Sequence, residues 1–320
     1  MSYEPPVKSG VRWGRVALFY AIALGWVSLI AAALFLTGQR NLSGAAGPTV
    51  VTAVLALLYM PAPLVAALIV ERLDHRPALI RTALQGFWRK LPKLLLAVIA
   101  IVAALILGML GLSWLVGNVL GFDAAGTVLF TQQDLVANTL TLVPGMNAEQ
   151  VAAINASIPP FWALIGVAFL GAIVAGFTVN GLFAFGEEYG WRGWLADELR
   201  PVGAFWANLI TGVLWGLWHA PLILMGFNYG EYTRLGPFFM AAWCVPASFL
   251  LWRLREVTGS LLAPAVLHGA INGFAGVFLV LLAGANPLVA APMGLIGMAA
   301  LTVVAAVFWW LTRKRPLRAA

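Results

Sequence analysis

Apolar residues run along the chain in eight long blocks, at roughly 16–36, 50–70, 94–116, 161–186, 205–224, 237–252, 261–283 and 292–311, with ends good to ~2–4 residues. A helix rising ~1.5 Å per residue needs ~20 residues to cross a hydrocarbon layer, so each block is expected to be a membrane helix. The polar intervals are short, apart from two. Over 76–93, Ile80, Ala83, Leu84, Phe87 and Leu91 recur at helical spacing opposite Arg81, Gln85, Arg89 and Lys90, the pattern of an amphipathic helix lying at the interface. Residues 117–160 hold Asp123, Asp134 and Glu149 but no Lys or Arg. There, Asn147 and Gln150 form a capping-box pattern that opens a short helix, and Pro159-Pro160 ends it. Pro61 and Pro63 are expected to kink the second span.

Composition agrees. Of 320 residues, 62% are hydrophobic and 10% charged, and the mean hydropathy is +0.92. Soluble domains carry ~25% charge, so the expected fold is an all-α polytopic membrane protein of about eight helices. The first block exceeds the ~7–15 apolar residues of a signal-peptide core and is read as a retained helix. Cys244 is the single cysteine, which excludes an intrachain disulfide and a thiolate metal cluster.

The net charge of +7 is a topology signal and not a nucleic-acid footprint. All Lys and Arg except Arg40 and Arg234 fall at the two termini or in alternate connections, as the positive-inside rule requires with both termini cytoplasmic. Residues 117–160 then lie outside.

Within this apolar background the fourth to seventh blocks and their connections carry ionisable residues in three groups. These are Glu187-Glu188-Tyr189-Gly190-Trp191-Arg192, Trp215-Gly216-Leu217-Trp218-His219 and His268-Gly269-Ala270-Ile271-Asn272. A charge at the centre of a span costs at least ~3 kcal/mol, so such residues are functional candidates. Glu188 with Arg192, Trp215 with His219, and His268 with Asn272 are each at i,i+4 and so share a helix face. With Pro201-Val202-Gly203 as a turn, Glu187 and His219 come to similar depth on antiparallel helices. The shorter entry of His268 places the hairpin tip, with Trp191, Trp194 and Trp206, in the cytoplasmic interface. A carboxylate and an imidazole can deprotonate water, and a second His with an Asn can donate to an oxyanion. The same groups could instead hold zinc, through Glu187, His219 and His268. Either arrangement suits hydrolysis of an acyl bond.

The three ordered patterns, E-E-x-x-x-R, aromatic-x-x-x-H and H-x-x-x-N over residues 161–285, resemble the CPBP (CAAX protease and bacteriocin-processing, or ABI) intramembrane endopeptidases, the family of the Ras-converting CAAX endopeptidase. The resemblance implies a glutamate-dependent protease in which Glu187 and His219 activate water. His268 and Asn272 would stabilise the oxyanion, with Glu188, Arg192 and Trp215 in support. Trp215 stands where phenylalanine is more usual, a difference expected to matter little. No cofactor is expected, since the site has no H-E-x-x-H pair and an Arg beside its acids, although the family is often labelled metalloprotease. The expected partners are the bilayer and a membrane-embedded or membrane-tethered polypeptide substrate, with no nucleic acid. The expected location is a bacterial cytoplasmic membrane.

The chain is divided into 1–160 (N-terminal helices, amphipathic helix and exterior loop), 161–285 (catalytic core) and 286–320 (last helix and basic tail). Two other functions remain open from the residues alone: a proton-coupled transporter, and a non-catalytic binding protein of the bacteriocin-immunity type. Asn180 and Asn208 are read as helix–helix contacts. Gly212/Gly216/Ala220 and Ala265/Gly269/Gly273 are read as close-packing stripes, and His75 as solvated.

Overall fold

The structure is a computed structural model that describes residues 10–43, 49–75, 87–142 and 145–314. In chain order its helices are α1 (Trp13–Leu36), α2 (Thr49–Val54), α3 (Ala62–Leu73), α4 (Phe87–Ser113), α5 (Gln132–Leu142), α6 (Ala148–Ser157), α7 (Phe161–Phe177), α8 (Val179–Glu188), α9 (Ala204–Trp218), α10 (Gly236–Thr258), α11 (Leu262–Ala275) and α12 (Leu295–Thr312). Two short strands, β1 (Thr127–Val128) and β2 (Leu282–Ala283), pair antiparallel. The chain is an all-α polytopic membrane protein. Its outward faces are apolar, with Leu29, Leu96, Leu170, Leu182 and Leu311 exposed, as lipid rather than water demands.

Among the described residues, six helices are long and apolar enough to cross a membrane: Trp13–Leu36, Leu55–Leu73, Leu91–Val119, Gly236–Thr258, Leu262–Leu281 and Leu295–Thr312. The other two expected spans are shorter. Residues 161–186 are not one helix, because Thr178 leaves the helical region (φ −127°, ψ −116°) between α7 and α8. α9 has 15 residues and ends at His219, where Pro221 two residues on has no N–H to continue the ladder. The expected kink in the second span appears as a π-helical turn, Leu55–Tyr59, followed by a break at Met60–Pro61. The capping box forms as expected, with Asn147 accepting from Gln150 N and Gln150 answering, and α6 meets α7 at 82°. Most of the expected amphipathic helix, 76–86, lies outside the described residues. From Phe87 onward the chain is already part of α4, whose helix runs on into the third span.

Small residues set the packing, as the two stripes predict. A Cβ on Gly212 would lie 2.6 Å from Val245 Cα, and one on Gly216 would lie 2.2 Å from Ala241 Cα, so the backbones of α9 and α10 touch. A Cβ on Gly269 would lie 2.4 Å from Gly181 N, which brings α11 equally close to α8. Asn180 donates to Gly269 O across that seam, and Asn208 accepts from Ser248 between α9 and α10.

Charges collect at one end of the bundle. Arg12 pairs with both Asp74 and Glu198, and Arg15 pairs with Asp74 at 2.9 Å. Arg200 bonds Asp197 and Glu256, and Arg255 holds Asp197 at 2.7 Å. The opposite end is joined by backbone contacts, Leu42 N to Met225 O and Asn286 N to Ala124 O.

Candidate active site

The site begins where α8 ends. At Glu188 the helix widens into a π-helical turn, Tyr189–Leu195, a geometry that recurs at functional positions. Gly186 and Gly190 let this segment lie directly on α3 and the Pro61 break. A Cβ on Gly186 would stand 3.0 Å from Pro61 Cα, and one on Gly190 would stand 2.4 Å from Pro63 Cβ. Tyr189 also donates to Glu71 Oε2 at 2.9 Å, tying the same segment to the far end of α3.

Glu187, Glu188 and Arg192 are buried, the last two at 0% exposure, so their charges must be answered within the protein. Arg192 Nη1 donates to Glu188 Oε1 at 2.8 Å, and the His268 Nδ1 contact reaches the same oxygen at 2.8 Å. Trp215 donates through Nε1 to Glu187 Oε2 at 2.8 Å, and the Arg192 guanidinium sits 4.0 Å over the Trp215 ring. Glu188 Oε2 and Arg192 Nε and Nη2 are buried with no hydrogen-bond partner among the described residues. Buried polar atoms are seldom left so, which marks capacity for a further polar group here.

His219 is set by the end of α9. Its N–H turns to Gly216 O at 3.1 Å, one residue short of the α-helical partner, and this frees Trp215 O. His219 Nδ1 approaches that carbonyl at 2.9 Å. A carbonyl only accepts, so Nδ1 carries the hydrogen and Nε2 of the neutral ring presents a lone pair. The ring is half-buried and stands edge-on to Trp218 at 4.8 Å.

Glu187, Glu188, Arg192, Trp215 and His268 therefore form one connected network, and His219 joins it through Trp215. Asn272 does not: it is exposed, one turn beyond His268, with no hydrogen bond among the described residues. Sharing a helix face does not bring the pair together, because His268 turns to Glu188. Trp215 contributes more than the aromatic wall expected of it, since its indole N–H holds Glu187 and a phenylalanine has no such donor. Trp191 and Trp194 are buried against Phe19 of α1, at 5.3 and 4.9 Å between ring centroids, and do not lie open at the hairpin tip. Only Trp206 of the three is exposed.

Sequence reasoning missed Tyr59, Glu71 and Arg255. Tyr59 donates to Trp218 O at 2.9 Å. Arg255 bonds the main-chain carbonyl of Arg192 and grips Asp197 at 2.9 and 2.7 Å. Glu71, an acid at the end of an apolar block, was the one available signal. The other two contacts join residues 159 and 63 apart and leave no local pattern.

The donor set suits a resident metal poorly. Glu188 Oε1 is shared by Arg192 and His268 and Glu187 Oε2 is taken by Trp215, and a cation on the oxygens that stay open would have to sit beside the Arg192 guanidinium. Among the described residues, no three His, Cys, Asp or Glu side chains converge as ligands.

The segment that carries this constellation is similar to known proteins. Residues 157–274 match the family model described as type II CAAX prenyl endopeptidase Rce1-like. A 44-residue stretch is 43% identical to "CAAX prenyl protease 2" of Methanococcus maripaludis, covering 13% of this chain and 16% of that protein. No solved structure gives a significant match. Residues 157–274, which carry all three motifs, are thus similar to the Rce1-like type II CAAX prenyl endopeptidases, within a longer helical membrane chain.

Proposed function

We propose that the protein is an intramembrane endopeptidase that hydrolyses a peptide bond of a membrane-embedded or membrane-tethered polypeptide, with Glu187 and His219 activating water. The observation that carries this reading is the convergence of the three motifs on one buried network, in which Trp215 holds Glu187 while Glu188 bridges Arg192 and His268. With Oε2 bonded to Trp215, Glu187 has Oε1 to take a proton from water, and His219 Nε2 is the second acceptor. Water attacks the scissile carbonyl, and the proton it loses passes to the leaving nitrogen. His268 gives its Nδ1–H to Glu188, so it offers the oxyanion a hydrogen at Nε2 in its imidazolium form. Asn272, on the open side of α11, is the other donor, reached by a substrate that lies along that helix.

No step in this reading calls on a metal, because Glu187 Oε1 and His219 Nε2 are themselves open to take the proton from water. The substrate is a polypeptide, presented from the end of the bundle where Arg12, Arg200 and Arg255 gather. That end is the cytoplasmic one by the positive-inside rule. The test is a comparison of protein neo-termini between cells carrying wild-type and Glu187→Gln protein. Termini present only with the wild type support proteolysis. Identical sets of termini would overturn it in favour of a carrier or a non-cleaving binding protein.

A further inference from the structure

The matched domain begins at residue 157, yet one hydrogen bond at the site comes from a helix about a hundred residues earlier. Consider what the end of α9 does to its carbonyls. Pro221 interrupts the ladder, and Leu222 N turns to His219 O at 3.2 Å instead of to Trp218 O, its α-helical partner. Two carbonyls are thereby left without their main-chain donors. The first, Trp215 O, takes the His219 ring N–H at 2.9 Å. The second, Trp218 O, takes the Tyr59 hydroxyl at 2.9 Å.

Tyr59 is buried, and its ring packs on Trp218 at 4.5 Å between centroids. Trp218 in turn stands edge-on to His219 at 4.8 Å. The π-helical turn Leu55–Tyr59 brings the phenol to this point, just ahead of the Pro61 break.

We infer that Tyr59 is a positioning residue for His219: by holding the Trp218 carbonyl it fixes the final turn of α9, and with it the His219 ring in the Nδ1–H tautomer. Without that hydroxyl, Trp218 O is a buried carbonyl without its donor. The turn then relaxes toward another partner, and the Trp215 carbonyl is no longer held under the His219 ring. The catalytic consequence rests on the proposed use of His219 Nε2 as an acceptor; the effect on the ring does not.

The chain has three histidines, so protein labelled with ¹⁵N-histidine, purified whole in detergent, gives three pairs of ring nitrogens. Loss of one pair in His219→Gln assigns its signals. The wild type is expected to show His219 protonated at Nδ1. Tyr59→Phe removes only an oxygen, and is expected to convert His219 to a mixture of tautomers while His75 and His268 stay in place. It should also lower kcat about tenfold at unchanged KM on a peptide found by the neo-terminus comparison, the scale of one lost hydrogen bond. Trp218→Phe keeps the carbonyl and is expected to keep the Nδ1–H form. An unchanged His219 in Tyr59→Phe overturns the inference, as does an equal shift of all three histidines, which would indicate general loosening. Loss of the tautomer in Trp218→Phe also overturns it, by assigning the effect to ring packing. If the wild type cleaves nothing, the proteolytic reading fails while the spectra still decide the role of Tyr59.

Discussion

Glu188→Gln should separate the buried network from mere packing. The side chain keeps its shape, but the charge that answers Arg192 is gone, and both residues are at 0% exposure. Removing one partner of a buried pair leaves the other uncompensated, at about 3–5 kcal/mol. For a chain of this size that corresponds to a fall in Tm on the order of 10 °C. Adding Arg192→Met removes the stranded cation and should recover most of the loss, since an apolar replacement of both partners is close to neutral. Activity should not return, because the neutral amide that replaces the Glu188 carboxylate cannot accept from His268 with the same strength. The assay is thermal unfolding in detergent with a thiol-reactive dye, for which the single buried Cys244 is the reporter. An unchanged midpoint for Glu188→Gln, or a double variant less stable than the single, would refute the reasoning.

Three further outcomes are expected. Burial alone would raise the Asp197 carboxyl, but Arg255 and Arg200 outweigh it and hold it below its ordinary 3.8. Its contribution to stability is therefore complete above that value and is lost as pH falls through the lower folded value. Unfolding midpoints measured from pH ~5 downward should drop less steeply in Asp197→Asn than in the wild type. Gly190→Val puts a branched side chain where a Cβ already stands 2.4 Å from Pro63, and should lower the midpoint by about 1–3 kcal/mol equivalent and reduce turnover. Cysteine labelling in Cys244→Ala protein should reach position 134 from outside and position 200 from the cytoplasm. Labelling of 134 only from the cytoplasm contradicts the topology.

The local parts of this architecture were readable. Glycine stripes, capping box and the Pro201–Gly203 turn are short-range patterns with direct physical causes, and each stands where expected. The Glu188–Arg192 pair was readable for the same reason, at i,i+4. What the local patterns did not show depended on distant neighbours. Trp191 and Trp194 were expected at the hairpin tip beside Trp206, but Phe19 of α1 covers them. Asn272 shares a face with His268, but Glu188 claims the imidazole and leaves the amide alone. The break at Thr178 has no proline or glycine at the position itself to announce it. Tyr59 could not be found from a pattern, since its partner lies 159 residues away.

The central claim is that Glu187 acts as the base of a peptide hydrolysis. Glu187→Gln still fills its space and can still accept from Trp215, but it takes no proton from water at neutral pH. The decisive measurement is cleavage of an identified membrane peptide by purified protein in detergent, with no gradient, alongside thermal unfolding. The account predicts a ~10²–10⁴-fold fall in turnover at an unchanged unfolding midpoint. Wild-type turnover in Glu187→Gln, or a loss that merely follows unfolding, would contradict it.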